Sequence, residues 1–537
     1  MTAEKKSPVL IGLSFGTLNS SVAIIDKEGR GETIANEDGD RSIPSYYAFT
    51  GHGEELAGSQ AKVQAMSNPV GTITQFRNLL GKKFDDEETK HHSQALFMNI
   101  VPSSSDPTLP TYETESWPNP DAEEATREQH TPQEVAAKYL RKVKETAENF
   151  LGDAVEGCVI SIPVHFEEVQ REALLKAANE AGFSKAYTIH EPVAAALAYD
   201  SAASKSKSGS SRADKRDKLV LVLDLGGHQF NVTLLSSNNG IYTIVSSLDD
   251  ERLGGTHFDE ILMDSVAQEF KRKTKLDIGN NRRARSKLHK ACEQTKRALT
   301  RQDNAPCSVE SLYEGIDYHG TFPRGRFEML AEPLYQRLVQ VMKDALGEAD
   351  LKVEDVDEVL LVGGASRMPR FHAVTKNVFS TAAIRTDVEP DEAIANGCAV
   401  QANIITSNPH VDYATVSRKP EITNAGHLSK SLGLALPDGS FLTVLPKRAP
   451  VPARRTVSFA VADKQRDLYL AVHQGESATA KDNTLVAELV LADLPDNLKA
   501  GEATVDVVFT VELDHTLTVS AKEKTSGKTV KAKVAKK

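Results

Sequence analysis

Four glycine turns and a small set of charged residues carry whatever chemistry this chain performs. Gly12, Gly16 and Thr17 lie in VLIGLSFGTLNSSVAII (9–25), with Leu18 and Asn19 following, and Gly226 and Gly227 lie in LVLVLDLGGHQFNVTLL (219–235). Two further pairs are Gly254-Gly255 in RLGGTHFD and Gly363-Gly364 in LVGGASRMP. With no Cβ in the way, backbone amides at a glycine turn can approach phosphate oxygens closely. A glycine pair between a strand and a helix presents bare backbone at the helix start. Two such turns on opposing lobes would clamp a polyphosphate from both sides. No Gly-x-x-x-x-Gly-Lys-Ser/Thr occurs, so the pattern is not a P-loop. One glycine pair alone is ordinarily just a turn; the weight rests on the set.

The elements that position these turns recur. A strand–glycine turn–strand unit appears at 9–25 and again at 219–235, where aliphatic and β-branched residues on both sides of the turn read as a hairpin. A strand followed by an amphipathic helix appears at 158–182 and at 358–379. A Glu-Pro step opening a small-residue helix appears at 191–200 and at 389–402. Three pairs in the same order, each offset by roughly 200 residues, point to two lobes of one duplicated α/β design around a shared cleft. From 1 to 405 the chain therefore reads as a two-lobe nucleotide-binding domain. Residues 406–430, polar and proline-bearing, read as a linker. Residues 431–537 alternate apolar and polar over short runs such as RTVSFAVAD and ATVDVVFTVE, the pattern of a small all-β sandwich. The basic, low-complexity stretch 201–218 reads as a surface insertion.

Composition bounds the function classes. The chain has 537 residues, 40% hydrophobic and 26% charged, which is ordinary for a globular protein of two or three folding units. A net charge of −11 argues against a general nucleic-acid binder. Four scattered cysteines supply neither a zinc framework nor a disulfide one, and the histidines lack ligand-spaced partners, so no metal ligands are assigned. The first residues, MTAEKKSPVL, show no signal peptide, and no apolar run approaches the length of a membrane span. These features predict a cytoplasmic protein with no membrane role.

The motifs GSQAKVQAMSNPVGT (58–72), EPVAAALAYD, LDLGG, LGGTHFD, SLYEGIDYHGTFPRGRFE (311–328), LLVGGASRMP, EPDEAIANG and AKEKTSGK (521–528) resemble the seventy-kilodalton heat-shock chaperones over nearly the whole chain. The resemblance implies the actin-like, duplicated ATPase fold followed by a β-sandwich, with ATP as ligand and magnesium as its possible companion. It implies that Lys62 lies near the terminal phosphate and that Glu191 and Asp224 are cleft carboxylates. It places Glu293, Lys296, Arg297 and Thr300 on the adenosine, Gly363, Gly364 and Arg367 beside the base, and Asp391 near the same pocket.

The chain also departs from the family pattern. Ser14 and Asn231 stand where acids are usual, His228 and Gln229 replace a glycine-threonine pair, and Leu18 replaces a threonine. Positioned acids and hydroxyls organise metal and water for phosphoryl transfer, and losing one commonly costs on the order of 100- to 1,000-fold. The expectation is therefore a chain that binds ATP without efficient hydrolysis, with Lys62, Glu191 and Asp224 as catalytic remnants. The alternatives are an active ATP-driven peptide-binding chaperone and a small-molecule kinase of the same superfamily. The sequence after the sandwich is short, which implies no helical lid. That architecture resembles the Ssz-type branch of the fungal ribosome-associated complex. The likeness implies a stable heterodimer with the J-domain protein zuotin, indirect attachment to the ribosome, and nascent chains and a second heat-shock chaperone as further partners. The lysines at 522, 524, 528, 531, 533, 536 and 537 read as a solvated edge rather than a specific nucleic-acid site.

Overall fold

A computed structural model describes residues 9–95, 98–117, 125–206, 218–238, 241–279, 281–408, 413, 428, 430–447, 449, 451, 453–460, 466–492, 494, 504–512 and 515–534. The chain forms two compact units. The first comprises residues 1–214, 219–234 and 246–414, and the second 215–218, 235–245 and 415–537. The expected insertion lies mostly, and the expected linker almost wholly, outside the described residues.

Two five-strand arrays of matching order supply most of the sheet in the first unit, though residues 218 and 235–245 of the second array belong to the second unit. In the first, the strands run Lys185–His190, Gly157–Ile162, Leu10–Phe15, Asn19–Ile25 and Gly31–Thr33, with Ile43–Pro44 also pairing onto Asn19–Ile25. In the second they run Ala383–Arg385, Glu358–Val362, Lys218–Leu225, Phe230–Asn238 and Ile241–Asp250. In each sheet the first hairpin strand lies parallel to the strand of the strand–helix motif: Ile11 faces Cys158, and Leu221 faces Val359. The repeats read in sequence thus occupy equivalent places in the two sheets. Gly157–Ile162 and most of Leu221–Leu225 are buried on both faces, which is why these segments are continuous aliphatic runs instead of alternating ones.

Small residues set how closely the helices approach. The helix Ala393–Ser407 lies against the first sheet and against the helix Glu191–Ser206. A Cβ on Gly12 would come within 2.6 Å of the Ala395 carbonyl oxygen, and one on Gly397 within 2.9 Å of Ala194 Cα. Gly12 was expected in the phosphate clamp. It is instead a packing glycine, buried inside its strand beneath this helix. The two Glu-Pro steps also differ. One helix begins at Glu191 itself, whereas the other begins at Ala393, after a turn in which the Glu389 carbonyl accepts from the amides of Glu392 and Ala393.

In the second unit, strands Phe441–Leu445, Leu432–Ala435, Leu468–Gln474 and Thr484–Leu491 form one sheet, and Ala453–Ala460, Thr504–Val511, Leu517–Glu523 and Thr529–Val534 the other. Thr504–Val511 alternates strictly, sending Val505, Val507, Phe509 and Val511 into a core shared with Leu434, Val472 and Leu489. Lys531 and Lys533 point outward from the edge strand Thr529–Val534, while Lys536 and Lys537 lie outside the described residues. Among the described residues no helix is long and apolar enough to cross a membrane.

Candidate functional site

The first glycine turn is held by its carbonyl groups. Ser45 donates its hydroxyl to the Gly16 carbonyl at 2.8 Å and its amide to the Leu18 carbonyl at 2.8 Å. The Ser20 and Ser45 hydroxyls are 3.0 Å apart, and Thr17 Oγ1 donates to Asn78 Oδ1 at 3.3 Å. Asn19 pairs with Pro44 in the sheet. A Cβ on Gly16 would collide with the Asn19 carbonyl oxygen, so the turn requires glycine. The amides of Thr17 and Leu18 find no acceptor among the described residues, which leaves them for an anion.

The second turn is anchored differently. The Gly226 amide donates to the Gln229 carbonyl at 3.1 Å. The carbonyls of Gly226 and Gly227 accept from the amides of Gly255 (3.0 Å) and Thr256 (2.8 Å), at the start of the helix Gly255–Thr274. A Cβ on Gly254 would lie 2.6 Å from the His228 amide nitrogen, and the Gly254 amide donates to His257 Nδ1 at 3.0 Å. Gly254 and Gly255 therefore fasten the turn to the helix. Their amides are used inside the protein and are not offered as bare helix-start donors.

Between the turns lies a charged floor. Arg77 Nη1 donates to Glu191 Oε1 at 2.7 Å and to the Phe15 carbonyl at 2.6 Å, and both side chains of this ion pair are over 90% buried. Arg77 Nε is buried and finds no hydrogen-bond partner among the described residues. Asp224 is hydrogen-bonded to Asn231, which also accepts from Gln229 Nε2 at 3.2 Å. Burial and the neighbouring Glu191 carboxylate push the Asp224 carboxyl up to about 7, against the opposing pull of Arg77 and Asn231. A cavity of about 10 Å³, lined by Glu191, Asp224, Asn231, Thr233 and Ser247, is about the size of one water. A larger cavity of about 400 Å³ opens beside it, lined by Arg77, Lys82, Glu88, His165, His228 and Gln229 among others.

Lys62 is elsewhere. Its Nζ pairs with Glu293 at 3.0 Å and approaches the Tyr46 ring at 5.9 Å. The cation on the two floor carboxylates is Arg77, which sequence reasoning missed. Its one local signal was a charge inside the otherwise apolar FRNLL, where Phe76, Leu79 and Leu80 are all buried.

The helix Arg282–Leu299 brings Glu293, Lys296 and Arg297 together, with Thr300 as its C-terminal cap. Burial works to raise the Glu293 carboxyl, but Lys62 and Arg297 outweigh it and hold the group below its usual range. Lys296 is committed inward, to Asp259 at 2.8 Å and the Gly255 carbonyl at 2.6 Å. Arg367 bridges Glu389 (2.6 Å) and Asp391. Gly363 has φ +85°, and a Cβ there would stand 2.5 Å from Asp224 Oδ1, so this glycine keeps room for the carboxylate.

Turn amides of Thr17 and Leu18 without an acceptor, above a buried guanidinium, fit a polyphosphate. Among the described residues no group of three or more His, Cys, Asp or Glu could hold a metal ion by itself. Asp224 and Glu191 are the cleft carboxylates that would hold a divalent cation there.

The family model described as Hsp70 protein matches residues 10–537. The chain is 35% identical over 523 residues to a ribosome-associated molecular chaperone of the SSB type from Eremothecium gossypii, covering 97% of this chain and 80% of that one. It is 34% identical over 523 residues to the heat shock 70 kDa protein BIP3 of Oryza sativa, covering 97% and 74%. To the ribosome-associated molecular chaperone SSB of Candida glabrata it is 35% identical over 519 residues, covering 96% and 80%. These matches overturn one expectation. Hsp70 proteins and SSB chaperones are ATPases, so the reading of ATP held without efficient turnover, and of a chain that is no enzyme, does not stand. The expectation counted groups lost at Ser14, Leu18, His228, Gln229 and Asn231. It left out the buried Arg77, which supplies positive charge at the floor.

Proposed function

Since the chain belongs to the Hsp70 family, we propose that it is an ATP-driven chaperone that attends nascent polypeptides at the ribosome in the cytoplasm. The observation that supports this most is one chain carrying both a polyphosphate cleft and a β-sandwich, at 35% identity to a ribosome-associated chaperone across 97% of its length. ATP, accompanied by magnesium, would occupy the cleft with its phosphates on the amides of the Thr17–Leu18 turn and beside the Gly226–Gly227 turn. Arg77 compensates phosphate charge, and Asp224 and Glu191 flank the attacked phosphate and orient water. Glu293, Arg297, Thr300, Arg367 and Asp391 face the nucleoside. Lys62 contributes at the same end through Glu293, and Lys296 supports the site from beneath through Asp259.

The likeness to the Ssz-type branch extends the proposal. The chain forms a stable pair with a zuotin-type J-domain protein and reaches the ribosome through it, alongside a second heat-shock chaperone. An extended segment of such a partner would suit strand addition at a sandwich edge. The test is co-sedimentation of the full chain with translating and with empty ribosomes, with and without the J-domain protein, combined with crosslinking to a nascent chain. Crosslinks that appear on translating ribosomes and depend on the J-domain protein support the reading. Equal recovery on empty ribosomes with no crosslink to nascent chains refutes it.

A further inference from the structure

The two glycine turns touch directly, through one side chain. A Cβ built on Gly227 would find Leu18 Cγ at 2.9 Å and Leu18 Cβ at 3.2 Å, with Leu18 Cδ1 closer still. All three of its nearest atoms thus belong to Leu18, on the opposing lobe. The backbone of Leu18 is fixed from behind by the Ser45 amide, and that of Gly227 by the Thr256 amide, each at 2.8 Å. Both residues are only half-buried, so the contact sits at the mouth of the cleft and not in a core. An isobutyl group there is insensitive to salt and needs no ligand to bridge the turns. The Lys62–Glu293 pair joins the lobes at another level and is partly exposed, so salt screens it.

We propose that Leu18 is an apolar strut that holds the two phosphate turns together across the cleft, and so positions the lobes for nucleotide retention by protein–protein contact. Gly227 is its socket, kept free of a side chain so that the leucine can seat. This rests on the nucleotide reading of the cleft. A polar residue at position 18 would hydrate instead of seating against bare backbone, and the lobes would then depend on the nucleotide and its cation to stay together.

The experiment follows release of a fluorescent ADP from the full chain by stopped flow, in Leu18→Ala, Leu18→Met, Gly227→Ala and the double variant Leu18→Ala/Gly227→Ala. Loss of the strut should speed release about tenfold, the factor expected from removing part of a leucine's apolar burial. Leu18→Met should release more slowly than Leu18→Ala, since a volume-conserving apolar swap keeps most of the contact. Gly227→Ala alone should release faster, because the added methyl displaces the leucine. The double variant should release more slowly than Gly227→Ala, since shortening Leu18 makes room for that methyl. The ratio of Leu18→Ala to parent should be the same in about 0.1 M and about 1 M salt. A Leu18→Ala rate within about twofold of the parent, or a double variant no slower than Gly227→Ala, overturns the strut while leaving the nucleotide site standing. A parent chain that binds no fluorescent ADP overturns both.

Discussion

Replacing Arg77 by methionine should be among the most damaging single changes in the first unit, and its cost should depend on pH. Arg77 and Glu191 are 6% and 8% exposed and 2.7 Å apart, so the pair is effectively out of water. Removing one member of a buried ion pair costs about 3–5 kcal/mol, mostly because the other charge is left uncompensated. Methionine refills much of the volume, so the loss is electrostatic more than steric. The pH dependence follows from Asp224. Its carboxyl already sits at about 7, raised by burial and Glu191 and lowered by Arg77. Without the guanidinium only the Asn231 hydrogen bond opposes the rise, and folding then favours the protonated acid more strongly. An acid whose folded pKa is raised binds more protons folded than unfolded, so stability falls as pH rises between the two values. The deficit of Arg77→Met should therefore be larger at pH 8 than near pH 5.5. Trp117, the chain's one tryptophan, lies in the first unit, so urea unfolding followed by its fluorescence reads that unit. A deficit under about 1 kcal/mol at pH 8, or one unchanged between the two pH values, would refute the buried-pair argument.

Two further outcomes follow from the same geometry. Asp224→Asn removes an acid whose cost to stability builds up between its ordinary value of 3.8 and about 7 and is complete above that, so by the same fluorescence the variant should gain a few kcal/mol on the parent at pH 8. At pH 5.5, about half-way through that interval, it should gain about half as much. Gly363→Ala forces a side chain into φ +85° and against Asp224, and should lose about 1–3 kcal/mol in the same assay. A neutral Gly363→Ala would mean that the backbone there relaxes freely.

The large features of this molecule were legible because they are local. The LVLVLDLGG run announces a buried strand ending in a turn, its counterpart at 9–25 announces the duplication, and the alternation of ATVDVVFTVE announces a half-buried strand. What the sequence concealed depends on residues far apart in the chain. Arg77 matters because Glu191 lies 114 residues on, and Lys62 is claimed by Glu293, 231 residues on. Gly12 looks like a turn glycine until the helix Ala393–Ser407 is laid over it, and Gly254-Gly255 looks like a ligand cradle until the Gly255 amide is found on the second hairpin and the Gly254 amide on His257. Local composition marks where a glycine or a charge is unusual; the partner that explains it is a matter of tertiary structure.

At the centre of this account stands a cleft that binds ATP and turns it over using its buried carboxylates. The direct measurement is single-turnover hydrolysis of ATP by the full chain with magnesium at pH 8, comparing the parent with Asp224→Asn. Conversion of bound ATP to ADP by the parent, slowed about 100-fold in a variant that is more stable and still binds nucleotide, is the result this account predicts. Bound ATP that stays intact on the parent, or an equal rate in the two proteins, would contradict it.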